Sequence, residues 1–375
     1  MSSMATDRRD LLLHGAMLLA STVLPLHSVS GATKKLRYIT AAKRGGNRYC
    51  VLVLTEEGAI EQEVALTGRG HDVALAPNGR TAIAFARRPG TFAAAIDLSA
   101  KKQAPQSFTA ATGRHFYGHG VFSADGRLLY ATENDYEAAR GVLGVYDVAA
   151  AYARIGEFET HGVGPHDILL MPDKETLCVA NGGIETHPDA GRAKLNLDTM
   201  RPSLVFIDRR TGDLKARHEL ARELHQLSIR HLCIDGSGAV WFGGQWEGGP
   251  QGIPWVVGQA RLDGPIGFCE ASAAVGVGLK GYIGSMAASE DGAIIAASAP
   301  RAGRVLYFNA AKGEVVGESQ LLDVCGVAPA HGSEIARTSG EGYLQISTPA
   351  QRDTVLRRLS EIAFDNHMRR LIGRG

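Results

Sequence analysis

The chain has 375 residues, 45% of them hydrophobic, and 40 Lys and Arg against 39 Asp and Glu leave a formal net charge of +1. So even a balance, with no basic stripe interleaved with aromatics, argues against a nucleic-acid partner. The length permits a generous core, and it is long for one compact domain unless that domain is a barrel or a repeat array.

The chain opens with Asp7-Arg8-Arg9-Asp10-Leu11-Leu12 and a short apolar run, LLLHGAMLLASTVLPL, leading to the small residues Ser30-Gly31-Ala32. Paired arginines, apolar stretch and small-residue exit in that order are the pattern of a twin-arginine export signal. Residues 1–32 are therefore expected to be a signal peptide, and 33–375 a single domain working in the periplasm. No later segment approaches the ~20 apolar residues of a membrane span.

From RYITAA onward the chain reads as short strands at steady spacing, and its 46 glycines concentrate in the turns. Each unit begins with a small or apolar strand and turns at Asn78-Gly79, Asp125-Gly126, Asp173, Gly236 or Asp291-Gly292. A second strand follows (TAIAFAR, LLYATE, TLCVAN, AVWFGG, AIIAAS), then a third that usually ends on Asp or Asn (AAIDLS, GVYDVA, VFIDRR, LYFNAA), then an extended fourth. Four strands per repeat is the signature of a β-propeller blade. Seven inner strands can be aligned. RYITAA, YCVLVL and QEVALT have no inner strand before them, whereas DNHMRRL has no outer strands after it. The expectation is an all-β, seven-bladed β-propeller in which the N- and C-terminal strands complete one blade and remove a free edge.

Aligning GHDVALAPNG, GHGVFSADG, PHDILLMPD, RHLCIDGSG and DNHMRRL puts His71, His119, His166, His231 and His367 in one column, and weaker copies add Ser285 and Cys325. Inner strands start on one face of the disc, so the column should surround the mouth of the central channel. Loops between second and third strands share that face, among them Arg87-Arg88-Pro89, the Glu133–Glu137 loop with Asp135, and the loop holding Trp246. The longest, residues 182–203, carries His187, Arg192, Lys194 and Asn196 and reads as a lid or wall.

The runs GVGPHDILLMPD, GHGVFSADGRLLYATENDY and above all THPDAGRAKLNL resemble a bacterial family known as domain of unknown function number 1513. The resemblance spans essentially the whole of 33–375. It implies a periplasmic seven-bladed propeller with a twin-arginine signal, encoded near imelysin-type iron-uptake lipoproteins and dihaem oxidoreductase-like proteins. It implies no settled activity.

Neutral imidazole is the commonest nitrogen ligand for transition metals, so His71, His119, His166, His231 and His367, with Cys325 as a thiolate, are the expected metal ligands, for iron or copper. Asp72 and Asp167 follow column histidines directly and read as supporting rather than ligating groups. The competing reading is architectural, because Gly-His at blade joins also serves packing in WD-repeat propellers. Glu133, Asp135, His187, Arg192, Lys194, Asn196 and Trp246 are the expected ligand-binding residues of the rim. Five cysteines form no CxxC pair and no CxxCH haem-attachment site, and there is no nucleotide-binding loop, GxSxG elbow or HExxH motif. The leading expectation is a periplasmic binding or accessory protein for metal acquisition, taking a metal ion or an anionic metal chelate and partnered with iron-uptake or redox proteins. Alternatives are a metal-dependent oxidoreductase or lactonase-like hydrolase using the same ring, and a protein-docking scaffold.

Overall fold

Turn chemistry sets the hairpins. At Asn78-Gly79 the glycine takes φ +64° while the asparagine Oδ1 accepts from Arg80 N at 2.8 Å; Asp125-Gly126 and Asp291-Gly292 repeat the device toward Arg127 N and Ala293 N. The Asp or Asn ending four of the third strands does similar work at the next turn. Asp97, Asp147, Asp208 and Asn309 accept from the amides of Ser99, Ala149, Arg210 and Ala311. A short polar side chain that bonds the backbone two residues on is a local turn signal, so the repeat fixes its own reversals.

The computed structural model describes residues 35–371 apart from 101–102, 192, 270 and 351–352; the signal peptide expected over 1–32 lies outside them. Its strands pair into seven antiparallel four-stranded sheets. Six sheets use consecutive strands and form blades one to six, with inner strands Gly70–Leu75, Arg114–Phe122, Pro165–Leu170, Leu227–Ile234, Ser285–Ala288 and Val324–Pro329. In blade seven, Ile362–Arg370 pairs as inner strand with Arg37–Arg44, followed by Arg48–Thr55 and Ile60–Leu66. The chain is a seven-bladed β-propeller closed by its N- and C-terminal strands. Among the described residues no helix is long and apolar enough to cross a membrane.

The core is divided into wedges between adjacent blades. Phe85 of blade one packs with Phe116 and Tyr146 of blade two, and Trp241 of blade four with Phe308 of blade five, all fully buried. Burying each such ring contributes about 1.5–3 kcal/mol, so every blade is held by both neighbours. All five cysteines are free and buried, and they pack as small hydrophobes.

Candidate metal centre

The inner strands do not run straight past the channel. Register shifts interrupt the pairing between Gly70 and Val73, Phe116 and Gly120, Pro165 and Asp167, Ile229 and His231, and Val324 and Val327, and opposite Thr40–Ala42 in the closing strand. An extra residue in one strand suspends strict alternation and re-aims its side chains. Each column histidine lies in or beside such a bulge. Gly118 shows how close the approach is. With φ +110°, a Cβ there would lie 2.6 Å from His71 Cδ2, so a side chain at this position would push the first ring aside.

The outcome is one cluster of five imidazoles. The rings of His71, His119, His166, His231 and His367 contact one another at centroid separations from 4.7 to 6.1 Å. His71, His119, His231 and His367 are buried and His166 is half-buried. Two overlapping triads, His71–His119–His367 and His119–His166–His231, each bring one nitrogen per ring within 4.8 Å of the others. Three nitrogens around one ion at ~2.0–2.1 Å lie roughly 3.3–3.6 Å apart, so each ring of a triad need move inward by at most about 0.7 Å.

Behind the rings stands a layer of charge. His119 Nδ1 lies 3.0 Å from Asp72 Oδ2 and 3.2 Å from Asp167 Oδ1; both are acceptors only, so Nδ1 carries the hydrogen and Nε2 points inward. His71 Nδ1 donates to Asp365 Oδ1 at 3.2 Å. Arg369 grips Asp72, with Nε donating to Oδ1 at 2.9 Å, and Arg69 Nε donates to Asp365 Oδ2 at 2.6 Å. Asp167 also accepts from the amides of Ile168 and Leu232. Burial opposes ionisation of Asp72 and Asp365, but Arg369 on the first, and His71 with Arg69 on the second, hold both carboxyls well below their usual range.

Inward, partners run out. His119 Nε2, His166 Nε2, His367 Nε2 and both ring nitrogens of His231 are buried with no hydrogen-bond partner among the described residues. Burial pushes His71 down to about 4 and holds His166, His231 and His367 well below the ordinary histidine value. His119 goes the other way. Burial is its largest influence and disfavours the proton, yet Asp167 and Asp72 together outweigh it and raise the group to about 9. One imidazolium and four neutral imidazoles therefore share the channel near neutral pH.

Above the cluster a cavity of about 60 Å³ opens on the face where inner strands begin. His71, His166 and His231 form part of its floor, and Arg87, Arg88 and Arg230 stand around it. The long 182–203 loop contributes Gly182 and Ile184 to the wall.

The remaining expected residues lie elsewhere. Cys325 turns its Sγ to the Asp323 carbonyl at 3.2 Å and belongs to neither histidine triad. Glu133 is not on the rim: it is fully buried inside blade two, where Arg154 donates to it at 3.0 Å and the Tyr146 hydroxyl also bonds it. Asp135 pairs with Arg114 at 2.8 Å and Arg140 at 2.7 Å. Trp246 donates Nε1 to Gly249 O at 2.8 Å within its own loop. His187 caps the short turn Pro188–Ala190, Lys194 pairs with Glu247, and Asn196 ties the loop to Glu185 N and Gly183 O. None of these lines the cavity. Arg192 lies outside the described residues. His115 is satisfied by Phe116 O and Asn134, which marks it as structural.

Residues not singled out from sequence include Tyr117, Ser228, Arg230 and Tyr282 of the cavity, and Asp365 and Arg369 behind the rings. Arg230 adjoins His231, where strict alternation would turn it away and the bulge restores it. Tyr117, Asp365 and Arg369 lie two residues from His119 or His367, on the side alternation itself shares, while Ser228 and Tyr282 adjoin no column histidine.

A family model described as protein of unknown function (DUF1513) matches residues 64–371. None of the curated proteins matches the chain. Among solved structures the fold is similar to Kuenenia stuttgartiensis hydrazine synthase, at TM-score 0.57 and 13% identity over 84% of this chain and 92% of that one. It is also similar to the Myceliophteria thermophila Cps50 (Swd1) beta-propeller domain, at TM-score 0.56 and 12% identity over 80% and 93%. At these identities the likeness concerns the fold alone.

Proposed function

The chain belongs to the DUF1513 family of proteins of unknown function, and from that premise we propose that it is a metal-binding protein holding a transition-metal ion on the propeller axis. The observation that carries this reading is the set of buried imidazole nitrogens without partners. Leaving a buried polar atom unpaired costs about 1–3 kcal/mol, and five such atoms in one cluster call for a common occupant. A purely architectural histidine would bond within its own blade, as His115 does.

The donor set fits the ion. Neutral nitrogen ligands suit iron, copper or zinc, and His119 would join the other four by exchanging its Nε2 proton for the ion. Carboxylates on the outer nitrogens of His71 and His119 fix tautomer and ring orientation as in carboxylate–histidine–metal arrays. The chain would serve as a periplasmic binding or accessory protein in metal acquisition, iron above all; the twin-arginine pattern and the family resemblance support that setting. A second reading, a metal-dependent enzyme, is favoured by the cavity above the cluster, which leaves room for a small exogenous ligand.

Elemental analysis of protein exported by its native route, combined with titration of Zn²⁺, Cu²⁺ and Fe²⁺ into the metal-free form, tests the reading. Stoichiometric metal is expected, with affinity falling at least ~100-fold in a His166→Ala/His231→Ala variant. Absence of metal from the wild type, together with no uptake on titration, would refute it.

A further inference from the structure

The charge around the histidine cluster is arranged in the wrong order for a bare cation. Carboxylates that could balance a metal ion, Asp72, Asp167 and Asp365, lie behind the rings, where Arg369 and Arg69 already engage two of them. On the open side the cavity is lined by Arg87, Arg88 and Arg230, and no acidic residue lines it. Arg230 is held within the wall by Ser228 and Glu247, which fixes its guanidinium beside His231. Arg88 forms no ion pair with a carboxylate among the described residues. Arg230 is already paired with Glu247, yet the positive charge on the open side still favours an anion beside a divalent ion there.

The cavity also presents neutral hydrogen-bond donors. The buried Tyr117 hydroxyl, close to Thr186 and Arg88, completes no hydrogen bond, and Ser228 and Tyr282 stand on the same wall. Guanidinium forks with added hydroxyl donors are the usual recognition set for planar or tetrahedral oxyanions. Size narrows the choice. About 60 Å³ equals roughly two water volumes, the scale of a compact oxyanion such as carbonate or phosphate and too little for a multidentate organic chelate to sit on the histidines.

We propose that the cavity is a binding subsite for one small oxyanion, held by Arg88, Arg230 and Tyr117, which completes the coordination of the metal on its open side. This rests on the metal-binding reading for its second half only; the anion subsite stands on the arginines and tyrosine themselves. Metal and anion then bind with mutual gain, since each neutralises what opposes the other.

The test is titration of Co²⁺ into metal-free protein in a chloride buffer purged of carbonate, then with added bicarbonate or inorganic phosphate. The purified protein and its Arg88→Gln variant, in the loop after Thr81–Ala86, are compared, with Arg230→Lys as a second variant. At least one oxyanion should tighten Co²⁺ binding by about tenfold or more in the wild type, and which one does so identifies the anion. Arg88→Gln, which removes one positive charge from the open side, should bind Co²⁺ without oxyanion at least as tightly as the wild type and lose the enhancement. Equal Co²⁺ affinity with and without both oxyanions, or enhancement retained in both variants, overturns the proposal. ³¹P line broadening of phosphate on metal-free protein separates the two readings. Failure to take up Co²⁺ at all refutes the metal centre and the completed coordination, while phosphate binding lost in Arg88→Gln still supports the subsite and its absence overturns that as well.

Discussion

Asp72 stands directly behind His119, its Oδ2 3.0 Å from Nδ1, and the same carboxylate is clasped by Arg369 from the closing strand. The pair links blade one to blade two and orients the imidazole that both triads share. Replacing this carboxylate therefore disturbs two things, the wall and the ligand. Asp72→Asn should lower stability by about 2 kcal/mol by taking the counter-charge from the half-buried Arg369 and the buried His119. It should also weaken metal binding ~10–100-fold by freeing the His119 ring. Thermal unfolding with and without added metal measures both.

His231 carries the opposite expectation for the empty fold. Both of its ring nitrogens lack partners, so the ring weighs against the metal-free protein. His231→Leu should leave metal-free stability unchanged or raise it by up to ~2 kcal/mol, while reducing the stabilisation that metal confers. A fall in metal-free stability with unaltered metal response would indicate a packing role instead.

Acidification should destabilise the metal-free protein. For His71, His166, His231 and His367, folded values lie below the ordinary 6.5, so each takes up a proton on unfolding. Their stability contribution is full above 6.5 and is lost as pH falls through 6.5 toward the folded values, about 4 for His71. His119, raised to about 9, has the reverse sign: its contribution is full below 6.5 and is lost as pH rises toward 9. Four groups outnumber one, so denaturant midpoints measured between about pH 7 and about pH 4.5 should fall steadily. A flat profile would contradict the burial of the cluster.

Glu133 provides the control. Glu133→Gln breaks a buried pair with Arg154 inside blade two and should cost about 3 kcal/mol in chemical unfolding. Metal affinity should not change, because this carboxylate faces its own blade rather than the channel.

The architecture was legible because each blade spells out its own turns, and because three strands at one end and one at the other lacked partners. The histidine column was legible for the same reason: a repeat turns position in sequence into position around an axis. Glu133 and Asp135 misled because they lie on a second strand whose inward direction is the neighbouring wedge, not the channel. Cys325 fell in register, yet the backbone leads its thiol to the Asp323 carbonyl. Arg230 escaped notice because alternation would turn it away from His231 beside it, and only the bulge, which no residue type announces, brings it to the cavity. Asp365, two positions before His367, escaped because its partner His71 is 294 positions away.

His71 and the Asp365 that orients it are separated by 294 positions, and the latter arrives with the strand that also brings His367. The triad His119–His166–His231 is carried by blades two to four, whereas His71–His119–His367 waits for the last strand. The five-ring cluster is complete only when that strand docks beside the first, which ties the full proposed site to closure of the ring.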